Sequence, residues 1–204
     1  MDWLQIFTLV TGVLYMILEV RQKNFMWVVG IATSLAAMWV FFRQGLYASF
    51  GLNTYYFITA FIGLWHWRRD KQALSSATAE EVSADDVIVL NRLTWKTVAI
   101  SALVCVLGTL ALSVGMLLLH DAGVLKENPM SLLDSAVTSL SVVATWWLVR
   151  SYLEQWWLWI VADLMSTVLC ATQGMWWMAA LYVAYVVAAA VGLIHWKNRG
   201  HYVI

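Results

Sequence analysis

Apolar residues in this chain come in seven blocks, each close to the ~20 residues that a helix needs to cross the ~30 Å hydrocarbon core of a bilayer. They run at about 3–20, 25–42, 46–67, 95–119, 130–149, 155–172 and 174–196. Short polar breaks separate them: Arg21-Gln22-Lys23, Arg43-Gln44-Gly45, the stretch 68–94, the loop from Asp121 to Pro129 with the only proline, Arg150, and Gln173-Gly174. The pattern predicts an all-α, polytopic membrane protein of seven transmembrane helices. The first block has no basic residue ahead of it and no small-residue cleavage site behind it, so it reads as a helix of the mature chain rather than a secretory signal.

Composition agrees with the pattern. Of 204 residues 62% are hydrophobic and 12% are charged, about half the roughly 25% usual in soluble domains. Equal numbers of basic and acidic residues, 12 of each, argue against a nucleic-acid partner. Cys105 and Cys170 lie inside apolar blocks, where a small hydrophobe is the simpler reading, and imply no disulfide. The basic residues also predict orientation. With the amino terminus outside, the inner side holds ten of them (Arg21, Lys23, Arg68, Arg69, Lys71, Arg92, Lys96, Arg150, Lys197 and Arg199) and the outer side two, Arg43 and Lys126. The carboxyl terminus is then cytoplasmic.

The chain repeats itself at an offset of 129 residues. Laying 21–67 on 150–196 without a gap matches 13 of 47 positions, against roughly four or five expected by chance. Arg21 pairs with Arg150, Trp27 with Trp156, Gln44-Gly45 with Gln173-Gly174, Tyr56 with Tyr185, Gly63-Leu64 with Gly192-Leu193, and His66-Trp67 with His195-Trp196. The predicted organisation is a first three-helix repeat (1–67), a cytoplasmic linker (68–94), a connector helix (95–119), a second three-helix repeat (130–196) and a cytoplasmic tail (197–204). An odd helix between two triplets gives both the same orientation, the parallel-repeat plan of SWEET-type transporters, which enclose a site near the bilayer midplane. The linker, rich in Ala, Ser, Glu and Asp, reads as a solvated segment or short surface helix.

The second repeat opens on Tyr152-Leu-Glu-Gln-Trp-Trp-Leu-Trp-Ile-Val-Ala-Asp163. At helical spacing Trp156, Trp159, Asp163, Ser166 and Cys170 fall on one face. Indole rings beside one acid suit a flat, cationic solute, through stacking and the cation-attracting π-face. An ionisable group at membrane depth costs at least ~2.5–3.5 kcal/mol and is functional by default, so Asp163 is a site candidate. Tyr56, Tyr185 and Ser34 reach the same depth, with Asn53 and Tyr182 a turn nearer the outer face. Asn53 also suits a bridge between helices, and Trp156, near the inner surface, an interfacial belt. Trp67 and Trp196 read as belt residues, Gly30, Ala60, Gly63 and Gly192 as close-packing positions, and His66 and His195 as polar anchors rather than metal ligands.

Catalysis has no visible constellation: there is no His-Glu-x-x-His, phosphate loop or nucleophile elbow. The last helix has no lysine before Lys197, which excludes a retinal-type receptor. The segment Tyr152-x-Glu154-x-Trp156-x-x-Trp159, then Leu169-x-x-x-Gln173-Gly174, together with Leu46-Tyr-Ala-Ser49 and Trp65-x-Trp67, resembles the PnuC family of bacterial nicotinamide riboside transporters. The resemblance covers nearly the whole chain, including the odd fourth helix. It implies a SWEET-like, energy-independent facilitator of vitamin B3 uptake without a cofactor, an inner-membrane homo-oligomer, a trimer, whose solute is trapped inside by a separate kinase. The family's aromatic motif falls on Trp156 and Trp159. Nicotinamide riboside carries a pyridinium, a carboxamide and a ribose, which match an aromatic cage, an amide such as Asn53, and Tyr or Asp163 partners. The expected substrate site is Asn53, Tyr56, Trp156, Trp159, Asp163, Tyr182 and Tyr185. The alternative is a SWEET-like facilitator of another small solute, a sugar or a different vitamin.

Overall fold

Within residues 3–43, 47–77, 87–124 and 130–203, which the computed structural model describes, the apolar blocks are seven α-helices. They are α1 (Trp3–Val20), α2 (Phe25–Arg43), α3 (Tyr47–Ala77), α4 (Trp95–Asp121), α5 (Ser131–Val149), α6 (Gln155–Thr172) and α7 (Trp176–Arg199). Two three-residue strands, β1 (Ile88–Leu90) and β2 (Gly200–Tyr202), complete the described structure. Among the described residues α4, α5 and α7 are long and apolar enough to cross a membrane, and the apolar part of α2, Phe25–Trp39, is shorter. Gln44, Gly45, Leu46, positions 78–86 of the linker, the loop 125–129 and the side chain of Ser49 lie outside the described residues.

Helix ends fall at the sequence breaks because of how the last carbonyls are satisfied. Gly174, at φ +73°, follows α6; its N–H bonds Ala171 O at 3.1 Å and the Met175 N–H bonds Cys170 O at 2.9 Å. This is a Schellman cap, whose left-handed residue costs glycine nothing. α1 ends the same way without a glycine. Gln22 sits at φ 49°, its N–H on Glu19 O and the Lys23 N–H on Leu18 O, both at 2.9 Å. Ser151, 129 residues on, repeats the conformation at φ 55°. Such a backbone costs a side-chain-bearing residue about 1–2 kcal/mol. At Gln22 the side chain offsets it: the fully buried amide donates to Val89 O at 2.8 Å and accepts from Val89 N–H at 2.6 Å.

The chain divides into two compact units. The first comprises Met1–Asn91, Leu148–Leu153 and Ile194–Ile204; the second comprises Arg92–Trp147 and Glu154–Leu193.

A polar knot ties the first unit together. β1 pairs in parallel with β2, in the register Ile88↔Gly200, Val89↔His201, Leu90↔Tyr202. Its three side chains are at most 4% exposed. Gly200 is there for close approach, since a Cβ would stand 2.5 Å from both Leu90 Cδ1 and Trp196 O. Asn91 Nδ2 donates to Asp70 Oδ2 at 3.1 Å and to Arg150 O at 2.9 Å. His66 bridges Asp70 (3.0 Å) and Arg150 Nη1 (3.2 Å). Because a guanidinium only donates, His66 Nε2 accepts there and Nδ1 carries the proton toward Asp70. Lys71, 1% exposed, donates to Gln22 O.

In the described part of 68–94, read as a solvated segment or short surface helix, the structure has a helix and a buried strand. α3 continues to Ala77 because the residues after Trp67 include good helix formers and neither Gly nor Pro, and an apolar triplet then carries the chain back into a buried strand. The belt reading of Trp67 and Trp196 is also corrected. Both are at most 1% exposed; Trp67 Nε1 donates to Leu148 O at 3.1 Å, Trp196 Nε1 to Val20 O at 3.0 Å, and the rings meet edge-on with centroids 6.1 Å apart. Their N–H groups satisfy carbonyls at the ends of α5 and α1, which an indole in a lipid interface would leave to water. His66, by contrast, is the polar anchor that the sequence implied.

In the second unit α4 packs lightly. None of its residues is buried. It meets α5 through small and polar side chains: Trp147 Nε1 donates to Ser101 Oγ at 2.9 Å, and Gly108 faces Ser139 Oγ. Both units share one packing device. A Cβ built on Gly63 would lie 2.4 Å from Trp27 Cζ2, and one on Gly192 would lie 2.4 Å from Trp156 Cη2. These two contacts are again 129 residues apart, and they make Gly63 and Gly192 the close-packing positions that the sequence implied.

Candidate functional site

α6 carries a face unlike any lipid-facing helix. Its buried residues are Gln155, Trp156, Ala162, Asp163, Ser166 and Cys170. Gln155, Trp159 and Asp163 follow at intervals of four, which stacks them along one stripe. Ser166 Oγ is satisfied locally, donating to Ala162 O at 2.8 Å. Asp163 is not: the residue is 8% exposed, and no ion pair or hydrogen bond to its carboxyl is present among the described residues. Only its backbone carbonyl is engaged, by Thr167 Oγ1 at 2.8 Å.

α7 brings two phenols to this acid. Tyr182 and Tyr185, three residues apart and therefore on one face, meet edge-on with centroids 5.9 Å apart and an interplanar angle of 86°. Both lie within electrostatic reach of Asp163, and Tyr182 also of Cys170 and Asp134. Asp163, Tyr182 and Tyr185 thus come together in the second unit. Phenol hydroxyls can donate to a carboxylate or to a solute, and the ring faces attract a cation.

The two tryptophans of the motif differ. Trp156 is 2% exposed, and its six-membered ring lies over Gly192 as Trp27 lies over Gly63. Its surface is taken up in packing. Trp159 is half-buried, and its indole N–H is buried without a hydrogen-bond partner among the described residues. Its position in the first repeat is Gly30, where the nearest side-chain atom to a built Cβ is Tyr15 Cε2 at 3.4 Å. Asn53 and Tyr56 belong to the first unit, both half-buried on α3, with the Tyr56 ring 5.7 Å from that of Tyr55.

Two residues escaped the sequence reading. Glu19, 8% exposed in the last turn of α1, is a further buried acid, within reach of Tyr15. It lies inside the apolar block 3–20, at its end beside the break Arg21-Gln22-Lys23, and the sequence reading passed it over. Gln155 is 0% exposed. It stood at a helix start, where a polar residue reads as surface, yet the repeat carried the missing signal: its counterpart is Met26, an apolar residue that is also 0% exposed.

Helices of this length and apolarity define a polytopic membrane protein, and in its second unit a buried acid stands among aromatic rings. A family model described as "Nicotinamide mononucleotide transporter" matches residues 2–198, and the chain belongs to this family. It is therefore a membrane transporter and not an enzyme. Among its relatives is the nicotinamide riboside transporter PnuC of Neisseria mucosa, 27% identical over 97% of this chain and 73% of that protein. The protein of the same name from Escherichia coli K12 is 23% identical over 97% of this chain and 86% of its own length. The crystal structure of the vitamin B3 transporter PnuC matches with a TM-score of 0.62 and 26% identity, covering 93% of this chain and 78% of that one.

Proposed function

We propose that this chain carries nicotinamide riboside across the inner membrane, binding it at Trp159, Asp163, Tyr182 and Tyr185. The observation that carries the reading is the unpaired, buried carboxyl of Asp163 beside two phenols. A buried charge without a partner is costly unless something else compensates it. A pyridinium does so with a flat cation that the rings also attract. The family's description names the mononucleotide and the relatives' names the riboside. The charge favours the riboside, because the mononucleotide's phosphate would face Asp163 with like charge.

Asn53 and Tyr56 join the site on the sequence reading, Asn53 for the carboxamide or ribose and Tyr56 as counterpart of Tyr185; Trp156, expected there from the motif, supports the site from behind by packing over Gly192. The proposed architecture is SWEET-like, seven transmembrane helices as two three-helix repeats of one orientation joined by α4. The excess of basic residues on one side supports an outer amino terminus and a cytoplasmic carboxyl terminus. The resemblance supports a trimer that equilibrates solute without coupling to an ion. Calorimetric titration of the purified protein with nicotinamide riboside, nicotinamide mononucleotide and a hexose tests the reading. Binding of the riboside alone is expected; binding of the hexose in its place would turn the assignment to a sugar facilitator.

A further inference from the structure

Gln155 is the largest unmet polar demand on α6. Its side chain is 0% exposed, and neither Oε1 nor Nε2 has a hydrogen-bond partner among the described residues. A buried primary amide in this condition is rare, because each unmade hydrogen bond carries a desolvation cost. The next group along the same stripe, one turn on, is Trp159, whose N–H is likewise buried and unpartnered. Another turn on is Asp163. From Gln155 to Asp163 the helix rises about 12 Å, roughly the length of a nucleoside.

The fold does not require an amide at this position. Met26, its counterpart in the other repeat, is just as buried and needs no polar partner. The amide is therefore an addition to a position that packs well without it. An amide that offers both a donor and an acceptor is complementary to another primary amide, which it can pair through two hydrogen bonds.

We infer that Gln155 is a substrate-binding residue that recognises the ligand's carboxamide by amide-to-amide pairing and so makes the transporter specific for the amide form of the vitamin. The inference rests on the proposed function, since it takes the solute to be a carboxamide-bearing pyridinium riboside. In this arrangement the carboxamide faces Gln155, the ring lies at Trp159, and the glycosidic nitrogen, which carries the positive charge, faces Asp163. An acid in place of the amide, as in the nicotinic acid riboside, would lose one donor and set a carboxylate against the oxygen of Gln155.

The test is titration of the wild-type protein and Gln155→Met with nicotinamide riboside and with the pyridine riboside that lacks the carboxamide. Methionine is the residue the fold already accepts at the equivalent position. The variant should bind nicotinamide riboside about tenfold more weakly, as two lost hydrogen bonds imply, and the pyridine riboside unchanged. Its melting temperature should stay level or rise, because an unsatisfied buried amide has been removed. Unchanged affinity for nicotinamide riboside would overturn the inference; equal losses for both ligands would overturn it as well. If Gln155→Met does not fold, Gln155→Leu serves with the same two ligands. Failure of the wild-type protein to bind nicotinamide riboside would instead refute the function itself, so the two failures are distinguishable.

Discussion

The six-membered ring of Trp156 occupies the space a side chain on Gly192 would need: a built Cβ stands 2.4 Å from Cη2 and 2.5 Å from Cζ2. Trp27 and Gly63 repeat this contact in the first unit, with the same two shortest distances. Gly192→Ala should push the ring aside and lower stability, as overpacking of a tight contact does by about 1–3 kcal/mol. Trp156→Ala should cost more, about 3–5 kcal/mol, by leaving a cavity. Thermal unfolding in detergent reads both, and an unchanged midpoint for Gly192→Ala would show that the ring is not seated there.

The second prediction concerns Gln22. It holds Val89 by both of that residue's backbone groups, so Gln22→Ala removes two hydrogen bonds and strands a buried N–H and C=O. A loss of roughly 2–4 kcal/mol should follow, with faster hydrogen exchange at β1 and at its partner β2. Exchange at Val89 that stays as slow as in the wild type would contradict the knot.

Much of this was legible in the sequence for physical reasons. Long apolar blocks between short polar breaks mark helix ends, so Trp3–Val20 and Gln155–Thr172 emerged at their observed bounds. The repeat matched Trp27 with Trp156 and Gly63 with Gly192, and the structure packs each ring over its glycine, because matched side chains in matched helices pack alike. Asp163, Tyr182 and Tyr185 were legible because polar groups stand out in apolar helices. What stayed hidden depends on neighbours distant in sequence. Ile88–Leu90 pairs with residues more than a hundred positions later, and no local pattern announces a three-residue buried strand. Trp67 and Trp196 looked like belt residues because helix-terminal tryptophans often are, and only their carbonyl partners, 81 and 176 residues away, show otherwise.

The proposed orientation rests on the ten basic residues assigned to one side. A carboxyl-terminal reporter that is active only in the cytoplasm should give signal, and a reporter that folds only in the periplasm should be silent. The reverse pattern would overturn the orientation or the count of spans.

The two motif tryptophans should separate by phenotype. Trp159→Ala should fold near normally and bind nicotinamide riboside roughly 5–30-fold more weakly, since a cation on a desolvated indole is worth about 1–2 kcal/mol. Trp156→Ala should show its effect first in stability. Calorimetric affinity set beside the melting temperature distinguishes them, and a Trp159→Ala variant of wild-type affinity would remove that ring from the site.

The central claim is that Asp163 recognises positive charge, and Asp163→Asn tests it most directly. Asparagine keeps the shape and removes the charge, so it should bind the cationic nicotinamide riboside at least tenfold more weakly while leaving the neutral, reduced riboside nearly untouched. Isothermal titration of the folded variant against both ligands decides the matter. Selective loss for the cation is the result predicted here; equal loss for both ligands, or none for either, would contradict it and return Asp163 to a structural role.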